Sequence, residues 1–343
     1  MAAAGGCRWA EAVQSRRIVN KECKICGNDS GNQQYTAREM MLGLRHTFPY
    51  LECSRCGCLQ IATIPSDVGA YYPSGYYSFE RPSEARLPGP SLRNRLKASR
   101  DRYAISRRGL AGRFLFKLFP RTDLLPFLAP LRLPLTSRIL DVGSGSGVDL
   151  LQLRAAGFKK VLGVDAFIAS DIYYESGVRV VKSSIFETTG EWDLIVFNHS
   201  YEHMDQPVKI LQHCAELLAP GGCCLLHIPT VSSWAWQHYR TNWVQLDAPR
   251  HFFLYSVAAL EIVASSAGLR VADILYDSTG FQFWGSEQYV RDIPLFSERS
   301  YLKQPGAVFS ESDILKFEER ARVLNASKQG DQAAFYLRRE KDA

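Results

Sequence analysis

The chain predicts an α/β protein built on a mostly parallel sheet, with a small cysteine-stapled module ahead of it. Three observations carry that expectation. From Ser137 onward, short apolar runs alternate with helical segments, "RILDV", "VDLLQLRAAG", "KVLGVD", "WDLIVFN", "PVKILQHCAELLAPGG" and "CCLLHIP"; this is the rhythm of strands joined by crossover helices. A glycine turn, "DVGSGSG", lies between the first of these strands and the first helix. Four cysteines fall in two C-x-x-C pairs near the start. At 343 residues, 46% hydrophobic and 22% charged, the chain accommodates a large core and a smaller module.

Residues 1–20 read as a tail. The opening "MAAAGGCRWAEAVQSRR" has no apolar core behind a basic start, and no later stretch runs about 18 apolar residues without charge or proline, so neither a signal peptide nor a membrane span is expected. Nine cysteines, an odd number, fit a reduced, cytoplasmic setting better than a disulfide framework.

Residues 21–80 form the expected metal-binding module. Cys23-Lys-Ile-Cys26-Gly27 and Cys53-Ser-Arg-Cys56-Gly57 are separated by 26 residues. Each glycine permits the turn that aims backbone N–H groups at the sulfurs. Four thiolates fill a tetrahedral shell and leave no open position, which points to structural zinc on Cys23, Cys26, Cys53 and Cys56. Cys58 stands as an alternative to Cys56. The module ends in the tyrosine-rich "AYYPSGYYSF", read as a docking segment.

Residues 81–135 are a basic helical connector. Between Arg81 and Arg121, 12 Lys and Arg face only Glu84 and Asp101, a net +10 within a chain of +6. "SLRNRLKASRDRYAISRR" predicts a helix, followed by a proline-broken apolar stretch. A solvated helix face, an RNA partner and an anionic lipid-linked substrate at a membrane surface all remain open for it.

Residues 136–343 form the large domain. In its glycine turn the glycines fall at 143, 145 and 147, and Val148 stands where a dinucleotide fingerprint needs its third glycine. Asp141 at the strand end opposes a pyrophosphate and favours a cation such as a sulfonium. Asp165, 24 residues on at the end of "KVLGVD", can accept from both hydroxyls of a ribose. "NHSYEHM" spells His199-x-x-Glu202-His203, the spacing of an inverted zinc-protease helix. It follows directly on the buried strand "WDLIVFN", which places it at a pocket floor instead. Further on, "VAALEIVASSAGL" predicts a helix ended by Gly268, "ESDILKFEERARVLNAS" a charged helix, and "RVADILYD" and "QAAFYLRR" two strands. Cys214, Cys223 and Cys224 read as core.

With "ILDVGSGSG", "GVD", "WDLIVFNHSYEHM" and "LLAPGG" in order, residues 136–276 resemble the class I S-adenosylmethionine-dependent methyltransferases, in particular the small-molecule branch with a His-x-x-Glu-His stretch after the fourth strand. The resemblance implies a Rossmann-like seven-stranded sheet whose last strand is antiparallel, with cofactor and acceptor at the C-terminal strand ends. It places the methionine end of the cofactor on Asp141, Gly143, Gly145 and Gly147, the ribose on Asp165, the adenine edge on Ser184 and Ile185, and the sulfonium above Asn198 and His199. The cysteine module, "YLECSRCGCLQI" followed by "YYPSGYYSF", resembles the zinc-binding segment ahead of some methyltransferases of glycan and secondary-metabolite pathways.

A small-molecule or sugar acceptor is therefore expected. His251 and His199 are the candidate bases, and Asp247, Arg250 and His251 among Trp243, Phe252 and Phe253 are a candidate polar pocket with aromatic walls. Two rivals stand beside this reading. A nucleic-acid methyltransferase is disfavoured because Asn198-His199-Ser200-Tyr201 lacks the prolines of amino-methylating enzymes and no Pro-Cys nucleophile pair occurs. A non-catalytic zinc-ribbon adaptor is disfavoured by the intact acidic residues of the loop.

Overall fold

The computed structural model describes residues 21–73, 75, 78–80, 91–121 and 124–342. The expected tail 1–20, the first ten residues of the connector, and Tyr76 and Tyr77 of the tyrosine-rich segment lie outside them.

β1 (Gln33–Arg38), β2 (Thr47–Glu52) and β3 (Leu59–Ile61) make an antiparallel meander. One cysteine pair precedes β1 and the other forms the turn between β2 and β3. Gly27 and Gly57 both adopt φ of 70°, and each donates its N–H to the carbonyl of the first cysteine of its pair, at 2.8 and 2.9 Å. The two turns are thus built alike.

The connector folds as α1 (Leu92–Ser106) and α2 (Leu110–Leu118). Ser91 caps α1 by accepting from the Asn94 N–H. The two helices meet at Gly112, where a Cβ would lie 2.5 Å from the Ser99 carbonyl oxygen, so only glycine allows the approach. The proline-broken stretch becomes a 3-10 segment, Leu125–Leu131, that buries Leu125, Phe127 and Leu128. Tyr336 fastens it by donating to the Phe127 carbonyl at 2.8 Å.

The large domain runs β4 (Arg138–Val142), α3 (Val148–Ala156), β5 (Lys160–Val164), β6 (Ile172–Tyr173), β7 (Arg179–Val181), β8 (Trp192–Asn198), α4 (Pro207–Leu217), β9 (Leu218–Pro229), α5 (Trp234–Tyr239), β10 (Phe253–Leu254), α6 (Val257–Ser266), β11 (Leu269–Tyr276), α7 (Phe281–Val290), α8 (Glu311–Ala326) and β12 (Gln332–Arg339). Its sheet has the order β11-β12-β9-β8-β4-β5-β7-β6. β7, β5, β4, β8 and β9 are mutually parallel, and β12 inserts antiparallel between β9 and β11. This is the expected seven-stranded α/β sheet with an antiparallel last strand. It gains an eighth strand, the two-residue β6 on the β7 edge, too short to leave a periodic signal.

β10 does not join this sheet. It pairs with β3 and completes a four-stranded sheet with the cysteine module. One continuous buried cluster therefore runs from Cys23, Tyr50 and Leu59 through Phe253 and Tyr255 to Ile195 and Leu226 in the central sheet. Cys214, Cys223 and Cys224 are buried within the core as expected. Among the described residues, no helix is long and apolar enough to cross a membrane.

Candidate active site

The parallel strands bring their carboxyl ends to one edge, where ligands of open α/β sheets bind. Asp141 near the end of β4, Asp165 just past β5 and Asn198 at the end of β8 converge there. Gly143, Gly145 and Gly147 all hold positive φ, 73°, 53° and 79°. A Cβ on Gly143 would sit 2.5 Å from the Ser200 side chain, and one on Gly145 2.4 Å from the Ser78 carbonyl oxygen. The loop can therefore only be glycine, and it carries the tyrosine-rich segment across its rim, where the Ser146 N–H donates to Ser78 O at 2.8 Å.

Asp141 is 2% exposed. Burial, with Asp149 and Asp165 beside it, holds its carboxyl well above the ordinary range. Three carboxylates around one loop repel one another, and a cationic ligand offsets that repulsion. Asp165 accepts from the Gly145 N–H at 2.9 Å and from the Phe167 N–H at 2.8 Å, one on each oxygen. Each oxygen retains a lone pair for a sugar hydroxyl. The side chain of Asn198 donates to Asp149 at 2.6 Å and accepts from His227 Nδ1 at 2.7 Å, so it braces the floor. These residues fit the donor expected from sequence, an amino acid joined through a sulfonium to adenosine.

Ser184 caps a 3-10 turn, with Glu187 reaching back to its N–H, and Ile185 is 5% exposed in the core. Neither belongs to the walls of the two adjoining cavities that meet at the loop. The larger, about 820 Å³, is lined by Asp141, Asn198, Asp247 and His251; the smaller, about 580 Å³, by Tyr72, Asp165 and Phe167; Gly143, His199 and His203 line both.

His199 is 39% exposed at this junction, with its Nδ1 3.6 Å from Glu202 Oε1. Burial opposes its charged form, but the Glu202 carboxylate outweighs burial and raises its pKa above the usual imidazole value. Glu202 is itself fully buried. Burial works against its charge, yet His199, His203 and His251 prevail and hold it at about 2. His251 is kept down at about 4 by burial and by the neighbouring His203. His251 and His199 therefore both approach one buried carboxylate, at its Oε1.

The stretch 199–204 is not an α-helix: His199 takes φ of 51° and Tyr201–His203 is a single 3-10 turn. The protease geometry is absent, as the sequence reading held. Arg250 departs from the expected pocket. It is fully buried, with Nη2 3.1 Å from Glu39 and 2.5 Å from Asp247, and Trp243 lies in the core with its Nε1 donating to Asp331. Of the expected aromatic walls, Phe252 lines the smaller cavity; the apolar wall of the larger comes from Phe281, Trp284, Leu295, Phe296 and Leu302, in and after α7, a region where no motif marked a site.

At the module, Cys23 and Cys56 sulfurs are 3.6 Å apart and those of Cys26 and Cys53 3.5 Å, too far for disulfides, whose S–S bond is about 2.0 Å. One sulfur from each of the four lies within 4.8 Å of all the others. The edge of a zinc–thiolate tetrahedron is about 3.8 Å for Zn–S bonds of about 2.3 Å, so the donor set suits such an ion. Cys58 lies outside this group and is fully buried.

A family model described as "Methyltransferase domain" matches residues 111–274. The chain is 33% identical over 96 residues to a ubiquinone biosynthesis O-methyltransferase of Bordetella bronchiseptica, covering 25% of this chain and 39% of that protein. To the protein of that name from Xanthomonas axonopodis pv. citri it is 28% identical over 158 residues, covering 41% and 66%. The chain thus spans about two fifths of the length of most of the curated relatives it matches. Among solved structures, mitomycin 7-O-methyltransferase aligns with TM-score 0.37 and 13% identity over 71% of this chain and 53% of that one. The sheet order, the acidic glycine loop and the family match together show that this chain carries a class I S-adenosylmethionine-dependent methyltransferase domain.

Proposed function

We propose that the chain transfers a methyl group from S-adenosylmethionine to an oxygen of a small molecule with an apolar body, and that its cysteine module holds structural zinc on Cys23, Cys26, Cys53 and Cys56. The observation that carries the reading is the larger cavity. One wall is the glycine loop with Asp141, and the other is the apolar set Phe281, Trp284, Leu295, Phe296 and Leu302. Oxygen as the acceptor atom takes support from the names of the curated relatives.

When bound, the cofactor supplies an electrophilic methyl on a cationic sulfur. Asp141 and the loop glycines would hold its methionine end, Asp165 its ribose, and Asn198 with His199 the floor beneath the sulfur; Ser184 and Ile185, expected at the adenine edge, line neither cavity. Alignment of acceptor and methyl contributes much of the rate in such a displacement. His199, exposed where the two cavities meet, accepts the hydroxyl proton, with Glu202 behind it to balance the charge; His251, the alternative base, also lines the larger cavity.

Calorimetric titration with S-adenosylhomocysteine tests the reading. The wild type should bind, and Asp165→Ala should lose about 3 kcal/mol, roughly a hundredfold, as two hydrogen bonds to a charged group go, with an unchanged far-ultraviolet spectrum. A wild type that does not bind overturns the function, and an unchanged affinity in the variant overturns the ribose assignment.

A further inference from the structure

Glu202 presents the least explained chemistry in the molecule. It is a fully buried carboxylate, and among the described residues neither of its oxygens has a hydrogen-bond partner. The nearest cationic candidates stand off, His199 Nδ1 at 3.6 Å and His251 Nε2 at 3.9 Å. A buried carboxylate left so costs several kcal/mol unless something else completes it.

The two histidines beside it are held in one particular state. The Nδ1 of His203 lies 2.8 Å from the Arg250 carbonyl oxygen, and the Nδ1 of His251 lies 2.8 Å from the Gln245 carbonyl oxygen. A carbonyl only accepts, so each Nδ1 carries a proton, and Nε2 is the nitrogen that a neutral ring offers to a ligand. This backbone anchoring is the arrangement that orients metal-binding histidines. Ligand atoms from Glu202, His203 and His251 lie within 4.8 Å of one another, against an edge of about 3.3 Å in a closed tetrahedral site with bonds near 2.0 Å. Side-chain shifts of about an ångström close that gap.

We infer that Glu202, His203 and His251 form a second metal site, distinct from the cysteine cluster, that takes a first-row divalent cation such as zinc. Two imidazoles and one carboxylate match the ligand set of open catalytic sites, which keep a position for an exchangeable oxygen. His203 and His251 line the cavity that the glycine loop also lines, so the open position belongs to the acceptor. Resting on the proposed methyl transfer, the inference narrows the acceptor class to molecules with an oxygen that can bind a metal, whose hydroxyl the cation makes more acidic. His251 then acts as a ligand, and proton acceptance falls to His199.

Native mass spectrometry of the full chain equilibrated with zinc decides the matter. The wild type should carry two zinc ions, Glu202→Gln and His251→Ala one each, and Cys53→Ser at most one. Affinity for S-adenosylhomocysteine, measured on the same samples, reports separately on the methyl-donor site and on whether each variant is folded. A folded wild type with a single ion, or a folded Glu202→Gln and His251→Ala pair that still carry two, overturns the site whatever the cofactor result.

Discussion

Arg250 lies fully buried between the module and the large domain, where Glu39, Asp247 and the Tyr71 carbonyl receive its guanidinium. Glu39 is equally buried and accepts from the backbone N–H groups of Leu42 and Leu44. Removing one side of such a pair strands a charge in a low-dielectric interior. Arg250→Met should cost about 3–5 kcal/mol in urea unfolding, while Glu39→Gln, which keeps the hydrogen-bonding shape, should cost less. Nothing in the sequence around Glu39 announces this contact, because a single acidic residue 211 positions away leaves no spacing to read. Asp141 and Asp165 differ: a strand, a glycine turn and a second strand fix their places locally, and they were legible.

At the scale of elements, β4 and β8 are locked at their entry edge by Arg138 and Asp193. The Arg138 N–H donates to Asp193 Oδ2 at 2.7 Å, and its guanidinium reaches Oδ1 at 3.0 Å. Hydrogen bonding from Arg138 holds the Asp193 carboxyl below its ordinary range. A carboxyl depressed in the fold stabilises above its unfolded pKa, near 3.9, and loses that contribution as pH falls through the folded value. Asp193→Asn should therefore cost about 1 kcal/mol at pH 7, modest because solvent reaches the pair. The gap between variant and wild type should close in chemical denaturation curves taken from pH 5 down to 2.5. The 3-10 turn after β8 was less legible than the strand itself: "NHSYEHM" carries helical spacing, but His199 in the left-handed region breaks any helix at its first residue.

For the whole molecule, the cysteine module is part of the wall of the site. β3 pairs with β10, Tyr50 donates to the His251 carbonyl at 2.8 Å, and Ser256 donates to the Cys56 carbonyl. Cys53→Ser should consequently do two things. It should lower the melting temperature, and it should weaken S-adenosylhomocysteine binding by several-fold, since His251 loses its support. A variant that melts early yet binds the ligand as well as wild type would show the module to be a separate staple.

The sequence by itself determined the parallel sheet, the acidic glycine loop, the paired cysteine turns and the order in which they come. Each depends on residues close together in the chain, where periodicity and spacing express backbone geometry directly. Tertiary structure alone decided that β10 leaves its domain to complete the module's sheet, that Arg250 turns inward to Glu39, that the apolar wall comes from the segment around α7, and that Glu202, His203 and His251 meet. Those contacts join residues 48 to 211 positions apart, and only packing of the closed core, not any local pattern, brings them within reach.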